Sequence, residues 1–220
     1  MTAQVMDQRA AADRRIGSPI LWDIIKMPAR ILTSWLFDLK VYGAEHLPPS
    51  GGVLLISNHE SNLDPVLLGV QVRRRISFIA KTELFRNPLF SWLITSLNAF
   101  PVRRGERDVG AIREALRRLH AGHVLTMFPE GTRTRNGEIG RIQPGIAMLI
   151  KRADVPIIPA VIDGAWKAWP RGKKLPRRYP IRVMYGPPLP IGKLDSHEIV
   201  TLVEDTLRSM LAELRAKHDQ

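Results

Sequence analysis

Apolar positions recur along this chain with two different periods. From residue 40 onward, short runs in which almost every residue is apolar alternate with stretches apolar at three- and four-residue spacing. Continuous apolar runs suit strands buried on both faces, and the longer period suits helices that cover them, so the alternation predicts an α/β fold. Residues 52–57, 76–80, 99–102, 124–128, 156–162 and 180–185 read as strands. Residues 65–72, 88–97, 106–120, 146–152 and 195–217 read as helices. The 106–120 segment sets Val109, Ile112, Leu116 and Leu119 on one face with arginines opposite, and Gly122 marks its stop. The last segment repeats the pattern through Ile199, Val203, Leu207, Met210 and Leu214. The expected architecture is a single domain over 40–220, with a mixed, largely parallel sheet flanked by helices. No internal repeat interrupts it, and 189–193 is its one soft joint.

The first 39 residues follow another pattern. Residues 1–17 are polar and lack the apolar core of a secretory signal. Ser18-Pro19 then reads as a cap and first-turn proline opening an apolar stretch over 20–37, interrupted by Asp23, Lys26 and Arg30 and expected to kink at Pro28. A spanning helix needs about 20 mostly apolar residues. The stretch therefore reads as an amphipathic helix lying in a bilayer interface, with Trp22, Trp35 and Phe37 at headgroup depth. A core helix packed on the domain is the alternative. With no secretory signal, the expected location is the cytoplasmic face of the cell membrane.

Composition narrows the function. The 220 residues are 45% hydrophobic and 25% charged, ordinary for a globular chain. The chain has no cysteine, which excludes disulfides, a thiolate nucleophile and cysteine-bound zinc or iron–sulfur sites. The net charge is +12, with a pI near 10.7. A negative partner is implied: nucleic acid, a phosphorylated small molecule or an anionic bilayer. The basic residues are dispersed, with clusters at 73–75, 103–104, 117–118 and 171–178. Only 6% of residues are aromatic and no nucleic-acid motif is present, which argues against nucleic acid. A basic nucleic-acid or anionic-surface binding protein stays as the reading from a different class.

Two loops carry candidate chemistry. The 52–57 strand runs into Asn58-His59-Glu60-Ser61-Asn62-Leu63-Asp64-Pro65, at a strand's carboxyl end, where open α/β sheets place their sites. Histidine exchanges a proton near neutral pH, and a carboxylate on its other ring nitrogen fixes its tautomer. Five residues separate His59 from Asp64, which does not suit one helix face but does suit a loop histidine and an aspartate where the next helix begins. The same spacing also fits a helix-capping Asp64 beside a plain loop histidine. The second loop is Phe128-Pro129-Glu130-Gly131-Thr132-Arg133. Gly131 lets backbone N–H groups approach an anion, Thr132 adds a hydroxyl, Arg133 offers a fork for phosphate, and Glu130 is placed to hold that arginine or a substrate hydroxyl. Phe100-Pro101-Val102-Arg103-Arg104 closes another strand and adds two guanidinium groups to the same rim.

Taken in order, these pieces resemble the 1-acylglycerol-3-phosphate acyltransferases of the glycerolipid acyltransferase family. The resemblance rests on Asn58-His59 to Asp64, Phe100 to Arg104, Phe128 to Thr134 and Val155-Pro156-Ile157-Ile158-Pro159-Ala160, and it covers roughly 40–191. It implies that His59 is the general base, oriented by Asp64. It implies a phosphate site built from Arg104 and Arg133 with Glu130, Gly131 and Thr132, with Arg103 beside it and Lys81 adding charge. Three departures stand out. Asn98 replaces a frequent glycine, Thr134 replaces serine, and Gln143 stands where relatives often carry lysine, which removes one expected positive charge near the headgroup.

The implied reaction moves an acyl group from a thioester, on coenzyme A or acyl carrier protein, to the free hydroxyl of 1-acylglycerol 3-phosphate. No cofactor and no metal are expected. With no cysteine and no G-x-S-x-G elbow, direct attack by the acceptor hydroxyl fits better than an acyl-enzyme. Glycerol 3-phosphate or another lyso-lipid is the alternative acceptor. The expected partners are the thioester donor, the lysophospholipid and an anionic membrane surface, without nucleic acid.

Overall fold

The computed structural model describes residues 19–96, 98–102 and 109–218. The chain runs through helix α1 (Pro19–Phe37), strands β1 (Lys40–Tyr42) and β2 (Val53–Ser57), helix α2 (Asp64–Val70), strand β3 (Ile76–Lys81), helix α3 (Pro88–Ser96) and strand β4 (Ala99–Val102). It continues through α4 (Val109–His120), β5 (Val124–Met127), α5 (Gly145–Ala153), β6 (Ile157–Asp163), α6 (Ala165–Ala168), β7 (Arg182–Tyr185) and α7 (Ser196–His218). All six strands expected from the apolar runs are present. The three-residue β1 and four-residue α6 are additions too short to show a period.

The seven strands form one sheet in the order β1-β7-β6-β2-β5-β3-β4. Every pairing is parallel except β6 with β7, so the sheet is mixed and largely parallel. β2 occupies the centre because both of its faces are covered. Leu54 and Ile56 pack with α4, α5 and α7 on one side. Val53 and Leu55 pack with α1, α2 and α6 on the other. Val53 through Ile56 are therefore all 0% exposed, which explains a continuous apolar run in place of alternation. Gly52 precedes that run because a Cβ there would stand 2.1 Å from the Leu119 carbonyl oxygen.

The long terminal helix α7 opens on a reciprocal cap. Asp195 Oδ1 accepts the N–H groups of His197 and Glu198, while Glu198 Oε2 accepts that of Asp195. Its apolar stripe is buried, with Ile199 and Leu207 both at 0% exposure. Asn98, in place of glycine, adopts φ 66°, the left-handed conformation that asparagine tolerates. The 117–118 cluster is not simply solvated. Arg118 is 4% exposed and donates to Glu114, Ser77 Oγ and the Asn98 carbonyl.

α1 corrects part of the expectation for 20–37. The helix runs unbroken through Pro28. Trp22 and Phe37 lie in the domain's core, at 7% and 2% exposure, rather than at headgroup depth. Their rings fill the space over α2, with Trp22 against Gly69. On the opposite face Ile24, Met27, Ile31, Leu32 and Trp35 are all more than half exposed. At 100° per residue, positions 24, 27, 31 and 35 fall on one stripe about half a turn from Trp22, Thr33 and Phe37. α1 is thus apolar on two faces, one packed and one open. Among the described residues, no helix is long and apolar enough to cross a membrane.

Candidate active site

The carboxyl ends of β2, β5 and β6 are neighbours at the centre of the sheet, and the loops that leave them meet there. The loop after β2 is bolted down before its histidine begins. The Asn58 amide donates to the Ile162 carbonyl and accepts the Ile162 N–H, both at 2.8 Å, so β2 is clamped to β6 beyond the last sheet pair. Glu60 Oε2 accepts the N–H of Trp166, and Ser61 Oγ donates to the Trp169 carbonyl. Both contacts fix the loop to the segment following β6.

His59 and Asp64 meet as the spacing requires. His59 Nδ1 donates to Asp64 Oδ2 at 2.6 Å. The same oxygen accepts the backbone N–H groups of Glu60 and Ser61 at 2.6 and 2.9 Å. An oxygen that already accepts two N–H groups serves as acceptor to the ring as well, so Nδ1 carries the hydrogen and Nε2 carries the lone pair. Asp64 is 0% exposed, and it opens α2 immediately before Pro65. The imidazole stacks on Phe128, with ring centroids 4.1 Å apart and planes 15° apart. Two rotations of the His59 side chain are thereby restricted, one by the carboxylate and one by the ring.

The loop after β5 divides into buried and open parts. Glu130 is 5% exposed, and each of its oxygens accepts a backbone N–H, Oε1 from His59 at 2.8 Å and Oε2 from Gly140 at 2.7 Å. Burial pushes its carboxyl above the usual carboxylate range, while the two N–H groups pull it down. Its geometry is that of a brace beneath His59. Thr134 closes the same junction, because its N–H donates to the His59 carbonyl at 2.7 Å and its hydroxyl donates to the Glu138 carbonyl. Gly131, at φ 69°, makes the turn that brings Thr132 and Arg133 to the surface. Among the described residues Arg133 has no hydrogen-bond or ion-pair partner, and it is half-buried at the rim. Gln143 is exposed and its backbone donates to Pro129, so the side chain in the lysine position lies on the outer edge of this turn.

Arg103 and Arg104 lie outside the described residues. Lys81 ends β3 paired with Val102, but its side chain is likewise not described. In the apolar 84–100 stretch, Phe100 is core at 4% exposure and Trp92 is open at 58%. The residues that sequence reasoning missed are the supports: Asn58, Phe128, Gly140 and the contacts of Ser61 and Trp166. Asn58 and Phe128 belong to the motifs themselves and were legible as such. The others depend on a distant backbone N–H or carbonyl, which leaves no mark on residue type. Burial also raises the Glu60 carboxyl well above its ordinary range, against the opposing pull of the Trp166 N–H. Among the described residues, no cluster of three or more carboxylates or imidazoles is arranged to hold a metal ion.

A histidine fixed at Nδ1 by a carboxylate, with Nε2 carrying the lone pair, can take a proton from a hydroxyl, and a guanidinium in the adjoining turn with its donors unspent among the described residues can receive a phosphate. Comparison with known proteins agrees with that chemistry. The acyltransferase family model matches residues 38–163. The 1-acyl-sn-glycerol-3-phosphate acyltransferase of Bacillus subtilis is 28% identical over 87% of this chain and 95% of its own length. The human 1-acyl-sn-glycerol-3-phosphate acyltransferase alpha is 31% identical over 80% of this chain and 64% of its own length. The crystal structure of the 1-acyl-sn-glycerophosphate acyltransferase from Thermotoga maritima superposes with a TM-score of 0.75 at 28% identity, covering 88% of this chain and 80% of that one. The family model, the relatives and the shared fold agree, and the chain belongs to the acyltransferase family.

Proposed function

We propose that this acyltransferase moves a fatty acyl group from an acyl thioester, on coenzyme A or acyl carrier protein, to the free hydroxyl of 1-acylglycerol 3-phosphate, giving phosphatidate. The observation that carries the reading is His59 held by Asp64 at 2.6 Å, in a chain similar to named enzymes of this activity. Arg133, with Arg104 and Arg103, which follow β4 in the chain, and Lys81 from β3, neutralises the acceptor phosphate. Gly131 and Thr132 line the turn that receives it.

The acceptor hydroxyl gives its proton to His59 Nε2 as its oxygen attacks the thioester carbonyl carbon. The Asp64 carboxylate at Nδ1 offsets the charge of the imidazolium as it forms. The tetrahedral intermediate then breaks its C–S bond, the thiolate leaves, and the proton passes from Nε2 to sulfur. Glu130 works through His59, keeping its backbone in place. The substrates are lipids, so the enzyme works on an anionic membrane surface, facing the cytoplasm, with the open stripe of α1 turned to the bilayer.

Purified protein supplied with acyl-CoA or acyl carrier protein thioester and a panel of lysophospholipids plus glycerol 3-phosphate, with products read by mass spectrometry, tests the reading. Phosphatidate from lysophosphatidate is the expected product. Turnover confined to glycerol 3-phosphate, or no consumption of either thioester, would overturn it.

A further inference from the structure

Between α6 and β7 the chain makes a loop, residues 169–180, whose tip opposes the ordinary logic of a protein surface. Over 171–178 it reads Arg-Gly-Lys-Lys-Leu-Pro-Arg-Arg, five cations without an acid, and Leu175 at its centre is 80% exposed. An isolated exposed leucine needs no explanation. This one is held out by a built support. Lys173 N–H donates to the Pro170 carbonyl, Trp169 Nε1 donates to the Lys173 carbonyl at 2.8 Å, and the Arg177 N–H and Nε donate to Ala168 and Lys167 carbonyls, both at 2.8 Å. Nearly every bond is spent on shaping the loop, and none covers Leu175.

Two contacts tie this loop to α1 and to the turn after β2. Arg178 lies 5.2 Å above the Trp35 ring and donates to the Trp35 carbonyl, so the basic loop abuts the end of α1 whose apolar stripe is open. Trp169 accepts from Ser61 Oγ at 3.1 Å, so the same loop is anchored to the turn that carries His59 and Asp64. We infer that loop 169–178 is a second membrane contact, its cations on anionic phospholipid headgroups and Leu175 below them, which together with α1 holds the catalytic turn at a set height over the bilayer. The inference rests on the proposed lipid acceptor for its purpose, though not for its evidence. An anionic bilayer is the occupant because it alone matches both halves of the surface, cations at the loop and uncharged apolar side chains at α1. An acidic protein would match the loop and leave Ile24, Met27, Ile31 and Trp35 uncovered.

The full chain is tested with phosphatidylcholine vesicles, plain or containing about one-third phosphatidylglycerol, by sedimentation across a salt series. One cation at an anionic surface is worth about a factor of five in binding. The triple variant Arg171→Gln, Lys173→Gln, Lys174→Gln is therefore expected to bind anionic vesicles roughly a hundredfold more weakly, with a shallower salt dependence and an unchanged melting temperature. Leu175→Cys places a single thiol in a chain that otherwise has none. An environment-sensitive dye on it should shift to the blue on anionic vesicles and be quenched by nitroxide lipids. Turnover of a water-soluble short-chain lysophosphatidate should stay as in the wild type, while turnover of vesicle-borne acceptor falls.

Unchanged vesicle binding by the triple variant, or a dye that stays in water, overturns the inference. So does equal loss of turnover with soluble and vesicle-borne acceptors, which would place the cations at the acceptor. A loss confined to acyl carrier protein donors, with vesicle binding intact, would mark the loop as a protein dock instead. If no lysophosphatidate is turned over by the wild type while vesicle binding behaves as described, the proposed function falls and the membrane contact stands.

Discussion

The turns that follow β2 and β5 begin side by side on paired strands, yet they are built to opposite ends. After β2, Asn58, His59, Glu60, Ser61 and Asp64 all make hydrogen bonds within the fold, several to segments about a hundred residues away. After β5, Glu130 and Thr134 are tied in the same way, whereas Thr132 and Arg133 between them face outward. A group that transfers a proton gains from being held in one orientation before substrate arrives. A group that receives a phosphate must instead be left with its donors unspent. Under the proposed function, the difference in hydrogen bonding separates the turn assigned the proton transfer from the turn assigned the phosphate.

Four measurements test that contrast. The largest effect should come from His59→Ala, which removes the base: kcat is expected to fall at least ~10²-fold, with circular dichroism and melting temperature close to wild type. Near-normal turnover would remove His59 from the proton transfer. Arg133→Ala should act on the acceptor side, raising its KM by about 10- to 100-fold, the worth of a lost charge-assisted hydrogen bond, with the acyl donor's KM unmoved. Equal damage to both substrates would make Arg133 a structural residue and erase the contrast.

Glu130→Gln asks to which side Glu130 belongs. A glutamine can accept one of the two N–H groups and opposes the other with its own NH₂, so His59 loses part of its seat. The expected result is a roughly tenfold lower kcat with acceptor KM unchanged; a rise in KM alone would return Glu130 to the phosphate site. The smallest effect concerns Glu60. Its carboxyl is raised by burial, so the folded state holds a proton more tightly than the unfolded chain, and the stabilisation present at low pH is lost as pH rises from the unfolded value through the folded one. Glu60→Gln should therefore match wild-type stability near pH 4 and exceed it increasingly toward pH 8 in denaturant titrations. A difference independent of pH would show that Glu60 carries its charge in the folded protein.

α1 and α7 show why some of the architecture was legible in sequence and some was not. The stripe of α7 from Ile199 to Leu214 has one apolar side, and the structure buries that side. The apolar residues of α1 cover more than half of its circumference, so its period does not distinguish the face that meets the domain from the one left open. Only the position of α2, with Gly69 making room for Trp22, decides it. The same reasoning applies to Arg118, which has the look of a surface residue in an arginine-rich helix until Ser77, Asn98 and Phe100 close around it.

The order of six strands and of the longer helices could be read from the sequence, because it depends on apolar spacing within a few residues, and the same local spacing marked His59 and Asp64 as a candidate pair. Tertiary structure alone decided that Glu130 lies beneath His59 across 71 positions and that Asn58 clamps Ile162 across 104. It also decided that the 169–180 loop abuts both α1 and the turn that carries His59 and Asp64. In each of these hydrogen bonds a side chain meets the backbone of a distant segment, and a backbone N–H or carbonyl is the same in every residue. No pattern of residue types records them until the chain has folded.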